Sequence, residues 1–576
     1  MPTRRSVRTR LGFEVLESRL ALSSMASLPG SPLAPLPDPL ASSAATISTT
    51  SPNYAGYHVA TNLNAPTNNV TAVGGGWTVP KIRSVAPNEA AAEWVGLATN
   101  GVSIEQIGTV EYTAAGATGG VSDFYRVWYE MYPAPPVYLD TINPAYRIRP
   151  GDKISASVTY NGSATNTFDM KVTDSGSTSH AGWKFENKSV ALPGGTAPGL
   201  SLAEWIVEDP GTGVNTYAPF GNFGTVSFFG ADATINGQTG PINDPAWQNQ
   251  QYNMTLKATT SALTPAGTAF TVTYANAASA TNPSLSGYQV MTDLIQPASN
   301  LITAVSGDWT VPRVSAVGGV WGSEVSEFVG MDSPSSNPSL SAGEWVGTAE
   351  YINSETGQPG YAAWYEIYPG TSGAVEITGM TIHAGDTMSG HVTYSSSSGA
   401  FTLTIKDTTT GQDYSTTQTN AGAPRWTAEW MVSDPYLYLN GPLLPLPSFT
   451  PVTFSDASVK FNGSKGPIAY PGWHNLKITM VSNGVTEDSV SRLNKAGSGF
   501  TVTYLASAAA ASVSSLSSVD SPAGADFAGL LTLPSSGLTM LTASDAVVVY
   551  NFTGTAQPDS ASGDRNRDAA LFSLFI

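Results

Sequence analysis

The chain of 576 residues has no cysteine. That excludes disulfides, thiolate nucleophiles and Cys-ligated zinc. Charge is scarce, at 12% of residues, and cations are scarcest, with 25 Lys and Arg against 43 Asp and Glu for a net charge of −18. So acidic a chain is repelled by phosphate backbones, and no nucleic-acid partner is expected. The five histidines (His58, His180, His383, His391 and His474) are scattered, with no HExxH or other close ligand spacing. No metal and no cofactor is therefore predicted. No run of about 18 apolar residues occurs, which predicts no membrane span. There is no GxSxG elbow on a strand-to-helix turn, and no long segment of period 3.6 to build one.

What the chain does have, it has twice. NYAGYHV, GGGWTVP, AAEWVGL, IEQIGTVEY, VWYEMYP, RPGD, AEWIVEDP, FGTVSF and FTVTY follow one another from Asn53. LSGYQV, SGDWTVP, SEFVGMD, EWVGTAEY, AWYEIYP, HAGD, AEWMVSDP, FTPVTF and FTVTY repeat that order from Leu285. Trp77 returns as Trp309, Glu130 as Glu366, Glu204 as Glu429 and Phe270 as Phe500. The spacings drift by only a few residues, so these are two copies of one domain. The period is far longer than the roughly 20–50 residues of solenoid or propeller units.

Within each copy, runs such as SASVTY, FDMKVTD and FTVTY alternate apolar with polar residues and favour β-branched and aromatic side chains. Gly and Pro punctuate them. The prediction is all-β, as two tandem antiparallel β-sandwich domains of concanavalin-like jelly-roll type. The expected divisions are a leader and Ser/Pro/Ala linker over 1–51, copy one over 52–276, a link over 277–283, copy two over 284–506 and a low-complexity tail over 507–576. The basic N-terminus lacks the apolar core of an ordinary signal peptide. Its segment FEVLESRLAL resembles a short motif at the start of large exported bacterial proteins, which implies export to the medium or cell surface.

Without Cys or an elbow Ser, carboxylates and amides remain to carry chemistry. Two strand-like runs, IEQIGTVEY and SLAEWIVEDP, each hold a polar residue among apolar ones, Gln106 and Glu204. The ordered set NYAGY, WTVP, WVGL, EQIGT, WYEMYP, RPGD, AEWIVEDP and FGTVSF resembles the glutamic peptidases, the eqolisin family of acid endopeptidases. The resemblance covers nearly all of copy one and, more loosely, copy two. It implies a curved sandwich of two seven-stranded sheets with a substrate groove on a concave face. It also implies a catalytic Gln–Glu pair at Gln106 and Glu204. The glutamate would act as general base on a water and then as acid toward the leaving amine. The amide would hold the water and donate to the oxyanion. A single glutamate base favours acid conditions.

Trp94, Trp128, Tyr129, Glu130 and Tyr132 are candidates to line the groove. Strand alternation puts Trp128, Glu130 and Tyr132 on one face and Tyr129 with Met131 on the other, so only one set can face it. Glu130 is expected to support rather than act as the acid. Copy one departs from the family pattern at Ala98, where WVGxD has an aspartate, and at Val110, with Glu111 one position later. Copy two keeps Asp332 and Glu429 but aligns Trp345 with Gln106. An indole has one N–H donor and is too bulky to replace the amide, so copy two is expected to be catalytically dead or badly impaired and to keep the fold for substrate holding or scaffolding. The expected protein is a monomer acting on polypeptide. Competing readings are a non-catalytic tandem module gripping peptide or glycan, a glycoside hydrolase using Glu130 with Glu204, and a composite site shared between the copies.

Overall fold

Period-two alternation makes strands with one buried face. In Lys153–Tyr160, Ile154, Ala156 and Val158 are buried while Lys153, Ser155 and Thr159 are exposed. The structure, a computed structural model, describes residues 46–505 apart from 100–102, 117–119, 177–180, 195, 214–215, 296, 334–341, 372, 421 and 436–442, together with 541–543 and 546–548. The export-like motif, most of the first linker and nearly all of the C-terminal tail lie outside the described residues. Both repeats are antiparallel β-sandwiches, and the one described helix is Leu139–Ile142.

In the first repeat one sheet curls back on itself. Its front layer runs Val137–Tyr138, Val121–Tyr132, Ser103–Ala115, Ala90–Thr99, Leu202–Glu208, Tyr54–Ala60 and Gln248–Met254. The short strand Ala258–Thr260 carries it round to a back layer of Phe270–Tyr274, Thr225–Ile235, Val70–Thr78, Lys153–Tyr160, Thr167–Asp174 and Trp183–Ala191. The second repeat has the same strand order in two separate sheets. Its front layer runs Val375–Glu376, Pro359–Tyr368, Ala342–Ile352, Glu324–Ser333, Thr427–Ser433, Leu285–Met291 and His474–Ser482.

Each sandwich closes over one aromatic core. Trp77, Trp205, Phe228 and Phe270 fill the first, and Trp309, Trp430, Phe454 and Phe500 the second. A polar chain is set into each core. The Trp77 indole donates to Thr109 Oγ1 at 2.8 Å, and that hydroxyl donates to Glu93 Oε2 at 2.8 Å. Trp309, Thr348 and Glu327 repeat it at 2.9 and 3.2 Å. A second buried glutamate stands beside each, Glu111 with Glu93 and Glu350 with Glu327. Burial, then the facing carboxylate, pushes Glu111 and Glu350 well above the ordinary glutamate range. Each pair therefore holds at least one proton at neutral pH.

The domain boundaries differ from the sequence expectation. Ile47–Ser51 is a strand of the first repeat, paired parallel with Gln248–Met254. Ala277–Asn282, expected as a link, is a strand of the second, paired parallel with His474–Ser482. Such strands are held by backbone hydrogen bonds, which small-residue sequences make without any side-chain pattern. At the junction the Tyr274 hydroxyl bonds His474 Nε2, the Asn222 amide donates to the Pro471 carbonyl, and Asn462 Nδ2 donates to the Val85 carbonyl at 3.1 Å. Leu256 of the first repeat packs in an apolar cluster of the second.

Candidate active site

Directly opposed residues of antiparallel strands share a face. One such row crosses the front sheet of the first repeat. Gln250 opposes His58, His58 opposes Glu204, Glu204 opposes Gly96, Gly96 opposes Gln106, and Gln106 opposes Glu130. Glu204 and Gln106 are two strand spacings apart, about 9.5 Å between Cα atoms. Only Gly96 stands between them. A Cβ there would lie 3.1 Å from Gln106 Cβ and 3.0 Å from the Trp94 ring, so the glycine keeps the gap between carboxyl and amide open.

This face carries a cavity of about 220 Å³. Gln106, Glu130, Glu208, Trp94, Trp128 and Tyr132 are among its lining residues. Alternation assigns them together, since each lies an even number of positions from its strand's member of the row. Tyr129 is not among them. It packs in the core beside Phe185, with the rings 6.0 Å apart, because an odd step along the strand turns it inward. Val110 also lines the cavity, while Glu111 is buried in the core behind it. Ala98 sits in a small apolar cluster with Ala60 and Leu202.

The side chains form two hydrogen-bonded arms. On one, Gln106 Nε2 donates to Glu130 Oε2, which fixes the amide, and Gln106 Oε1 is buried without a hydrogen-bond partner. On the other, His58 Nε2 lies 3.4 Å from Glu204 Oε1. Tyr54 and Tyr252 flank His58, with ring centroids 5.3 and 4.4 Å away. Trp94 Nε1 donates to Glu208 Oε2 at 2.9 Å. Burial dominates the electrostatics. It pushes Glu204 up to about 8, with the Glu208 charge adding to the rise. It lifts Glu130 to about 7 against the Gln106 hydrogen bond, and Glu208 to about 7 against that of Trp94. It lowers His58 to about 3. A glutamate so far from water keeps its proton through the acid range, so the acid working range read from residue type meets opposition from this site.

His58 and Glu208 are site residues that motif reasoning passed over. Their signal was period two: His58 lies four residues after Tyr54 and Glu208 four after Glu204, on the same faces.

The same row in the second repeat reads Leu476, Gln289, Glu429, Gly330, Trp345, Glu366. Trp345 stands in the register of Gln106. Its ring lies over the glycine, so a Cβ on Gly330 would come within 2.3 Å of Trp345 Cδ1. Glu429 is 2% exposed and accepts from Gln289 Nε2 at 2.8 Å and from the Trp345 indole. Trp345, Phe328, Trp364, Met431, Leu476 and Ile478 form one buried apolar cluster where the first repeat has its cavity. Asp332 is half-buried, and its carboxyl is raised by burial and then by Glu429. Among the described residues no group of three or more His, Asp or Glu side chains is arranged to hold a metal ion.

Comparison with known proteins identifies the family of the chain. A profile of the Peptidase A4 family matches residues 52–274 and 292–504. Aspergillopepsin-2 of Aspergillus niger is 32% identical over 226 residues, covering 35% of this chain and 73% of that protein. Scytalido-glutamic peptidase, solved with a peptide-based transition state analog, is 23% identical, covering 39% of this chain and 99% of its own, with a TM-score of 0.31. The aspergilloglutamic peptidase from Aspergillus niger is 26% identical over 32% of this chain and 99% of its own, with a TM-score of 0.27. Matched separately over each sandwich, and so over most of its length, the chain belongs to the Peptidase A4 family.

Proposed function

We propose that the protein is an exported glutamic endopeptidase whose first repeat hydrolyses peptide bonds and whose second repeat does not. The observation that carries the reading is the shared row: Glu204 and Gln106 lie on one sheet face across Gly96, with Gln106 lining the cavity and Glu204, 5% exposed, beside it rather than among the lining residues. An extended peptide lies along that face, against Trp94, Trp128 and Tyr132. A water sits between the Glu204 carboxylate and the unpartnered Gln106 Oε1. Glu204 takes a proton from it as the water oxygen adds to the scissile carbonyl carbon. The Gln106 N–H not used by Glu130 donates to the developing oxyanion. Glu204 then returns the proton to the amine nitrogen, and the carbon–nitrogen bond breaks. Glu130 holds the amide and does not touch the reacting atoms.

In the second repeat the water's place is taken by the Trp345 ring, and both Glu429 oxygens are hydrogen-bonded to protein donors. That favours a scaffolding role there. The export motif and the membership of a family that includes aspergillopepsin-2 support action outside the cell.

The test is digestion of a denatured protein from about pH 3 to about pH 9, comparing wild type with Glu204→Gln. Cleavage by wild type and none by the variant supports the reading. Cleavage that survives Glu204→Gln overturns it. A chain that binds peptide without turnover would be the tandem binding module instead.

A further inference from the structure

We propose that His58 is a positioning residue that shares one proton with Glu204, so that the imidazole takes the carboxyl proton and leaves Glu204 charged. This deepens the reading above and rests on it for its catalytic meaning. The step is a simple transfer. The Glu204 O–H bond breaks, a bond from the proton to His58 Nε2 forms, and carboxylic acid plus imidazole become carboxylate plus imidazolium.

Three observations converge on the pair. First, His58 and Glu204 are opposed in register on adjacent strands, and His58 Nε2 lies 3.4 Å from Glu204 Oε1. Second, the imidazole is held rather than loose. It is 8% exposed and packs against both the Tyr54 and Tyr252 rings, the three centroids forming a triangle with sides of 5.3, 4.4 and 5.0 Å. Electron-rich ring faces stabilise a cation laid against them, which favours the imidazolium once formed. Third, the two repeats differ here. Copy two puts Gln289 in the same register, 2.8 Å from Glu429, and an amide can donate to a carboxylate but cannot take its proton. Histidine therefore stands beside the glutamate of the repeat with the open cavity, and glutamine beside that of the repeat where it is filled.

The pair also answers a difficulty in the mechanism. A buried lone glutamate is protonated, and a protonated carboxyl is no base. Burial disfavours each charged form taken singly, raising Glu204 to about 8 and lowering His58 to about 3. Between those limits the two groups hold one proton, which the separate values leave on Glu204 and the 3.4 Å contact offers to His58. Formed together, the opposite charges screen each other at close range. The other groups around the pair are Tyr54 on its own strand, Gln250 and Tyr252 on the next, and Glu208 on the strand of Glu204. Glu130 stands beyond Gln106. Glu208 and Glu130 are themselves raised to about 7 by burial, and a charged Glu208 raises Glu204 further.

Two measurements on the full chain decide the matter. In His58→Gln, which installs the residue the second repeat already accommodates, kcat/KM is expected to fall about tenfold or more on the acid side and to change little on the alkaline side. The acid limb of the profile then moves toward the range of a lone buried Glu204. The second measurement needs no activity: the imidazole resonances are titrated by NMR, with His58 assigned by its loss in the variant. Its midpoint is expected to shift by at least about one unit in Glu204→Gln. An unchanged midpoint overturns the pairing whether or not the chain cleaves peptides, as does a superimposable pH profile in an active His58→Gln. Failure of wild type to cleave anything, with the NMR shift present, overturns the peptidase reading and leaves the pair standing.

Discussion

Two sandwiches with the same strand order and the same buried Trp–Thr–Glu chain differ most on one face of one sheet. In the first repeat that face holds His58, Glu204, Gln106 and Glu130 in one row, with an open cavity at Gln106 and Glu130. In the second it holds Gln289, Glu429, Trp345 and Glu366, with an indole where the cavity would be. The backs of these same strands have kept their buried glutamates, so the fold imposed its own demands on both copies. The lesson is that scaffold and chemistry occupy alternate residues of the same strands. Every second position can drift while its neighbours stay fixed.

The comparison breaks most visibly at the carboxylates. Glu204→Gln should reduce cleavage of a denatured substrate by at least about 10³-fold, while Glu429→Gln should leave the rate unchanged, as judged by digestion assays on both. If the second substitution were the damaging one, the roles of the repeats would be reversed. At the amide, Gln106→Ala should lower kcat by about 10²-fold through loss of an oxyanion donor. Gln106→Trp, which copies the second repeat, should go further by filling the space above Gly96. Steady-state kinetics on the pair separates donor loss from blockage.

The reverse exchange acts on stability. Trp345→Gln removes a buried indole and should cost about 3 kcal/mol, read as a lower denaturation midpoint in urea. It should bring no cleavage in a Glu204→Gln background, because Phe328, Trp364 and Leu476 still close the face.

The smallest effect should be common to both repeats. Glu93 and Glu327 are raised to about 7 by burial, from an ordinary value of 4.5, and Glu111 and Glu350 well above it. The folded chain thus binds more protons than the unfolded chain, and the slope of unfolding free energy with pH is negative. Stability from these pairs is complete below about pH 4.5 and declines as pH rises through about 7. Thermal midpoints should therefore be higher at pH 4 than at pH 8, and Glu111→Gln or Glu350→Gln should flatten the difference.

Much of this could be read from the chain before any coordinates. Alternating strands gave the all-β class, and aligning GTVEY with GTAEY put Trp345 at the place of Gln106, where the register also has it. Alternation likewise separated Trp128 and Tyr132 from Tyr129. What stayed hidden depended on pairing between distant strands. His58 meets Glu204 only because Tyr54–Ala60 lies beside Leu202–Glu208 in antiparallel register, and a sequence shows residues along one strand but not across strands. The difference between YHV and YQV was visible in the repeated motif and had no meaning until the neighbour was known. The strands at Ile47 and Ala277 were missed for another reason, since backbone pairing needs no particular side chains.

The strand at Ala277 has a practical consequence for anyone wishing to isolate the first sandwich. Only Ala275 and Asn276 separate its last strand from the first strand of its neighbour, and Asn475 of that neighbour donates to the Asn276 carbonyl at 2.8 Å. Tyr274 is capped by His474, and Leu256 is covered by the other copy. A fragment cut at this point would be born with a bare leucine on a new surface and with the Tyr274 hydroxyl reduced to its 3.4 Å bond to the Phe220 carbonyl. The duplication, whatever it retains of chemistry, has become a shared wall that neither half can lose.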